Sequence, residues 1–156
     1  MKRRVRKDSW GDVRRDLYES LIRWALVKLN DRPMTARNWR PHILVFVSNV
    51  EKRLDLARFG AWFAENRGVV SICELYHGDI IDLDVDVRAR QKEINNVLKK
   101  HRIIAFGEVN IVQNLVRGIL TVAQSNGIAG MESNTLLVGW PDDRERLVNF
   151  LRLLRP

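Results

Sequence analysis

Cysteine is all but missing from this chain. Cys73 stands alone among 156 residues, so there is no internal disulfide framework and a reducing compartment is the economical reading. Long hydrophobic runs are missing as well. The best, Ile43 to Val47, is of strand length and far below the ~18 apolar residues that a membrane-spanning helix needs. Glycine and proline are sparse, nine and four, while 46% of residues are hydrophobic; that composition disfavours disorder. No apolar stretch follows Lys2 to Lys7, so the core of a secretory signal is lacking. HExxH, CxxC and the P-loop Lys-Ser/Thr do not occur, nor do RNP, KH or zinc-finger patterns. What is left is the length and composition of one globular domain.

Acidic residues are scarce mainly at the start. Residues 1–40 carry twelve Lys/Arg against five Asp/Glu, a balance of +7, whereas residues 41–156 carry fifteen against fourteen. The overall charge of +8 is therefore an N-terminal property. Such an arm suits a polyanion, either nucleic-acid phosphates or the anionic inner leaflet of a membrane. A solvated helix face accounts for the same count equally well.

Apolar spacing divides the chain into alternating elements. Ser9 and Asp12 mark a helix start, and Val13, Leu17, Leu21, Ala25 and Leu29 recur at helical spacing until Asn30-Asp31-Arg32-Pro33 ends it. Tyr18, Ile22 and Leu26 widen that stripe, so this helix is expected to pack on more than one side. His42 to Val47 reads as a strand buried on both faces. A helix with Leu56, Phe59, Trp62 and Phe63 toward the core follows, closed by Gly68; Val69 to Tyr76 is the second strand. Ile94, Val97 and Leu98 mark the next helix, and Ile103 to Phe106 the third strand. Asn110 is expected to cap a helix bearing Val112, Leu115, Val116, Ile119, Leu120 and Ala123, with Gly127 closing it. Thr135 to Gly139 is the fourth strand. Pro141 and Asp142 open a last helix with Leu147, Phe150, Leu151 and Leu154 inward. Strands and helices in alternation predict an α/β fold, an open parallel sheet with helices on both faces; the strand order expected for it is 3-2-1-4, which alternation by itself does not fix. The sheet is expected to be cut short after the last helix, leaving an open edge beside the fourth strand.

The candidate sites are few. Asp82, Asp84 and Asp86, with Asp79 upstream, alternate like oxygen ligands for Ca²⁺ or Mg²⁺, but the EF-hand glycine and terminal glutamate are missing. A solvated connector in which Asp86 starts the next helix explains them better. His42, His77 and His101 share no ligand spacing with Cys73, so no metal is expected. Cys73, inside an apolar strand, reads as a buried small hydrophobe. Trp24 and Trp62 lie in helical stripes and read as core. Trp10, Trp39 and Trp140 fall at segment junctions, where an amphipathic ring buries its body and satisfies its N–H. No nucleophile–base pair is visible, so no catalytic residue is assigned. At the topological switch point of a 3-2-1-4 sheet, a crevice near Ser48, Asn49, Gly139 and Trp140 is the candidate for a nucleotide such as ATP or ADP.

Gly127-Ile128-Ala129-Gly130 followed by Gly139-Trp140 is similar to the glycine pattern with which universal stress proteins cradle ATP phosphates. It departs from that pattern at Trp140, where a small hydroxyl residue is usual, and the first pair precedes a strand instead of following one. Gly127 as the residue after a helix and Gly139 for close packing are the structural alternatives.

Three stretches taken together resemble a different family. They are Trp10-Gly11-Asp12-Val13-Arg14-Arg15 with Leu21-Ile22-Arg23-Trp24-Ala25-Leu26, then Asn38-Trp39-Arg40-Pro41, then Gly127 to Thr135 running on to Gly139-Trp140-Pro141. In this order and spacing the chain resembles the cytosolic C-terminal domain of cation–chloride cotransporters, particularly the potassium-chloride branch, from about Trp10 to Pro141. The resemblance implies a basic juxtamembrane arm over residues 1–9, a connecting and dimerisation helix over 10–30, and a universal-stress-like α/β domain over 41–156. It implies a homodimer, a transmembrane transport domain as partner, a place on the cytoplasmic face of the cell membrane, and a regulatory role without catalysis or cofactor. Val13, Leu17, Leu21 and Trp24 become the interface residues. Anionic inner-leaflet lipid is a secondary partner, and nucleic acid is disfavoured. The family's ion-coordinating residues lie in its membrane part, so none is carried over. The chain lacks the transport unit, the second half of the usual cytosolic domain and the long phosphorylated insertions of eukaryotic members, which points to a prokaryotic source.

Overall fold

The computed structural model describes residues 9–32, 34–79, 85–140 and 151, with backbone alone for residues 9–12. The elements run α1 (Ser9–Asn30), β1 (Ile43–Val47), α2 (Leu54–Phe63), β2 (Val70–His77), α3 (Val87–Lys100), β3 (Phe106–Val112), α4 (Leu115–Ser125) and β4 (Thr135–Val138). Two units can be distinguished: residues 1–38 with 128–130, containing α1, and the remainder, containing the sheet. The expected last helix lies outside the described residues apart from Leu151.

The four strands form one all-parallel sheet in the order β3-β2-β1-β4. Central β1 is buried at all five positions, which is why its sequence shows no alternation. The period of two still sorts its side chains. Ile43, Val45 and Val47 join Val70, Ile72 and Val109 on the face covered by α2 and α3, through Ala57, Ala64, Ile94 and Leu98. Leu44, Phe46 and Cys73 meet Val122 of α4 on the other face. Helices therefore flank the sheet on both sides, as the alternation of segments predicts.

α2 corrects the expected orientation. Its buried residues are Ala57 and Gly60, with Ala64 just beyond, while Phe59, Trp62 and Phe63 are exposed; the Phe59 ring stacks on Phe63 at a centroid distance of 6.3 Å and lies tilted against Trp62 at 5.8 Å. The physical reason is the approach of helix to sheet. A Cβ on Gly60 would stand 2.9 Å from Val45 Cγ2, so only small residues fit beneath the helix. Trp62 is 72% exposed and is not core; Trp24 is likewise exposed. Nor does Gly68 end this helix. The chain leaves it through left-handed Glu65 and Asn66, and Gly68 is required because a Cβ there would collide with the Pro41 carbonyl.

The third strand lies further along than expected. α3 ends in a Schellman motif: Arg102 adopts φ +57°, its N–H donates to Lys99 O at 3.1 Å, and Ile103 N–H donates to Leu98 O at 2.9 Å. Ile103 is buried as the apolar residue of that motif, so the apolar run from Ile103 marks a helix stop and β3 begins at Phe106. Asn110 consequently sits inside β3 and caps nothing. The cap of α4 is Asn114, whose side chain accepts from Arg117 N–H. Val112 ends β3 against Gly118, while Leu115 and Leu120 of α4 are exposed. Gly127, with φ +108°, follows the C-cap residue Asn126 as expected.

Candidate functional site

α1 is a 22-residue helix whose apolar stripe is uncovered. Val13, Leu17, Leu21 and Trp24 are between 58% and 66% exposed, and Tyr18, Ile22 and Val27 are more than half exposed too. Packing of an apolar face, more than intrinsic propensity, supplies most of the stability of helices in proteins. The Arg15–Glu19 pair, 2.7 Å apart and exposed, adds only a few tenths of a kcal/mol. All four predicted interface residues lie on the wide stripe seen in the sequence, and all four are exposed.

The carboxyl end of the sheet holds a cluster of ion pairs centred on Arg90. Alternation along β2 turns Glu74 onto the face beneath α3, where it is fully buried. Its Oε1 accepts from Val50 N–H at 2.7 Å and from Arg90 Nη2 at 2.9 Å. Its Oε2 accepts from Arg90 Nε at 2.9 Å and from the Tyr76 hydroxyl at 3.2 Å. Arg90 reaches on to Glu51, with Nη1 at 3.1 Å and Nη2 at 2.8 Å, and to Glu93 at 3.0 Å. These hydrogen bonds to Glu74 and then to Glu51 raise the guanidinium's pKa, and the bonds from Arg90 hold the Glu51 carboxyl below its ordinary value. Burial, reinforced by the Glu74 charge, pushes the Tyr76 phenol up. Every oxygen of Glu74 is saturated by donors, so the group is set as a clamp that ties the loop after β1 to β2 and α3. The sequence reading missed it, although a lone acid inside Val69 to Tyr76 is the signal: a charge in a two-sided buried strand has to be paired.

Ser48 and Asn49 follow β1, and Gly139 and Trp140 follow β4. Because Phe46 pairs with Val138, the four residues leave the same end of adjacent strands. Asn49 Oδ1 accepts from Lys52 N–H at 3.0 Å, which closes the turn. The space over Gly139 is taken by the Arg53 guanidinium, 2.8 Å from where a Cβ would lie. Trp140 is largely exposed. A cation therefore stands at the switch point, beside a glycine.

The remaining candidates are dispersed. Asp86 caps α3 by accepting from Ala89 N–H, as expected; Asp82 and Asp84 lie outside the described residues. Among the described residues no three His, Cys, Asp or Glu side chains are grouped to hold a metal. His42 is buried at the amino end of β1, where Nδ1 accepts from Val69 N–H at 3.2 Å and burial lowers its pKa. His77 ends β2 and His101 caps α3. Cys73 is buried, its thiol accepts from Asn110 Nδ2 at 3.2 Å, and burial pushes its pKa up to about 12, in keeping with a thiol packed as a small hydrophobe. No described helix is long and apolar enough to cross a membrane. No family model matches the chain.

Proposed function

We propose that this chain is a cytosolic regulatory and dimerisation domain, without catalysis or cofactor, of a secondary transporter resembling the cation–chloride cotransporters. The single observation that carries the reading is the uncovered apolar stripe of α1. A helix of this kind, preceded by a strongly basic segment, suits a connector that leaves a membrane domain and docks on protein. The parallel sheet in the order 3-2-1-4 agrees with the fold that the resemblance implies. The partners are then a second copy of the chain and the transport domain, with anionic inner-leaflet lipid near the basic arm and no role for nucleic acid. The gene tests this directly. An in-frame region upstream of the Met1 codon encoding about twelve apolar spans of ~20 residues each is expected. A stop codon upstream, with no transporter frame adjoining, would overturn the reading.

A nucleotide-sensing reading, with ATP or ADP at Ser48, Asn49, Gly139 and Trp140, draws on one observation, the Arg53 cation beside Gly139 at the switch point. The regulatory reading expects no response there. Titration with ATP or ADP to millimolar concentration should leave Trp140 fluorescence unchanged, and a saturable change would favour the nucleotide sensor.

A further inference from the structure

His42 ties three segments together at the amino end of the sheet. Its N–H donates to Asn134 Oδ1 at 3.0 Å, and its carbonyl accepts from Asn134 N–H at 3.0 Å and Thr135 N–H at 3.1 Å. Those bonds fix the entry to β4. Its imidazole Nδ1 accepts from Val69 N–H at 3.2 Å, which fixes the entry to β2. A backbone N–H can only donate, so Nδ1 must keep its lone pair and the ring's proton belongs on Nε2. The residue is 7% exposed. A proton added to Nδ1 would set donor against donor, at a place where water has little room to take over.

We propose that His42 is an acid-sensitive latch: protonation of Nδ1 releases Val69 N–H and frees the α2–β2 loop from the start of β1. Burial holds the imidazole below its ordinary pKa of about 6.5, and Glu132, ahead of β4, opposes that shift without reversing it. Arg40 on the lead into β1, with Glu65 and Arg67 on the α2–β2 loop, are the other charged side chains of the segments that meet here. Because the folded-state pKa lies below the unfolded one, the latch contributes fully above about pH 6.5. Its contribution is lost as the pH falls from there toward the folded-state pKa. The cleft of about 260 Å³ lined by Trp39, Pro41, Phe63 and Arg67 is built from the two segments that the latch joins, so its walls loosen when the latch opens. The latch is independent of the transporter reading and of α1.

Nitrogen NMR of the His42 ring in the unsubstituted chain, read with Val69 amide exchange from about pH 8 to about pH 5, is the test. The neutral ring should carry its proton on Nε2 and titrate below the ordinary value. Val69 protection, corrected for the intrinsic exchange rate, should fall roughly tenfold across that range, the equivalent of about one unit of pKa shift. His42→Asn sets an amide oxygen where Nδ1 stands, an acceptor that does not titrate. Its Val69 protection, at whatever level, should be flat with pH. A ring that holds its proton on Nδ1, or titrates at or above the ordinary value, would overturn the latch. So would a loss of protection in His42→Asn as steep as in the parent, which would assign the effect to other groups. The ring measurements need no substitution and decide the matter even where that variant fails to fold.

Discussion

Replacing Arg90 by Met should destabilise the domain by about 3–5 kcal/mol, the cost of stranding a buried charge by removing its partner. Glu74 is fully buried and would keep only the Val50 N–H and the Tyr76 hydroxyl as donors, while Glu51 would lose its one cationic partner in the cluster. Against a typical total of about 5–15 kcal/mol, the loss is large enough to shift the urea midpoint decisively. Adding Glu74→Gln should recover part of it, because a neutral amide no longer demands a cation, and the double-mutant cycle isolates the coupling. A fall below about 1 kcal/mol in Arg90→Met would mean that the Glu74–Arg90 pair does not hold the loop after β1.

The second large effect is expected in α1. Leu17→Glu together with Leu21→Glu should weaken self-association by roughly a hundredfold or more. Each leucine forfeits about 1.5–3 kcal/mol if its side chain is fully buried on contact, and each carboxylate adds a desolvation cost. Neither residue belongs to either core cluster of the sheet, so the circular dichroism of the sheet unit and its thermal transition should persist. Light scattering that returns the same mass for variant and parent would remove α1 from the interface.

The sheet was legible because buried parallel strands announce themselves as short apolar runs. His42 to Val47 and Val69 to Tyr76 fall within one residue of β1 and β2, and their alternation with helices implies the parallel sheet. Legibility failed where an apolar residue serves a different purpose. Ile103 plugs a helix stop, and its hydrophobicity alone cannot be told from that of a strand. In α2 the large side chains mimic a core stripe, yet Ala57 and Gly60 are the buried residues, and a Cβ on Gly60 would stand 2.9 Å from Val45 Cγ2. Small residues carry little weight in hydrophobic periodicity, so their packing role is visible only in three dimensions. Of the candidate sites, the α1 stripe was readable from the spacing of Val13, Leu17, Leu21 and Trp24. The clamp was not, because Glu51, Glu74 and Arg90 are joined by topology across 39 positions of sequence.

Sedimentation equilibrium of the unsubstituted chain, from micromolar to near-millimolar concentration, bears most directly on the proposal that α1 docks on protein. The mass should rise toward twice 18.2 kDa and fall back in the Leu17→Glu, Leu21→Glu variant. A mass that stays at 18.2 kDa throughout, or a dimer indifferent to those two substitutions, would contradict it.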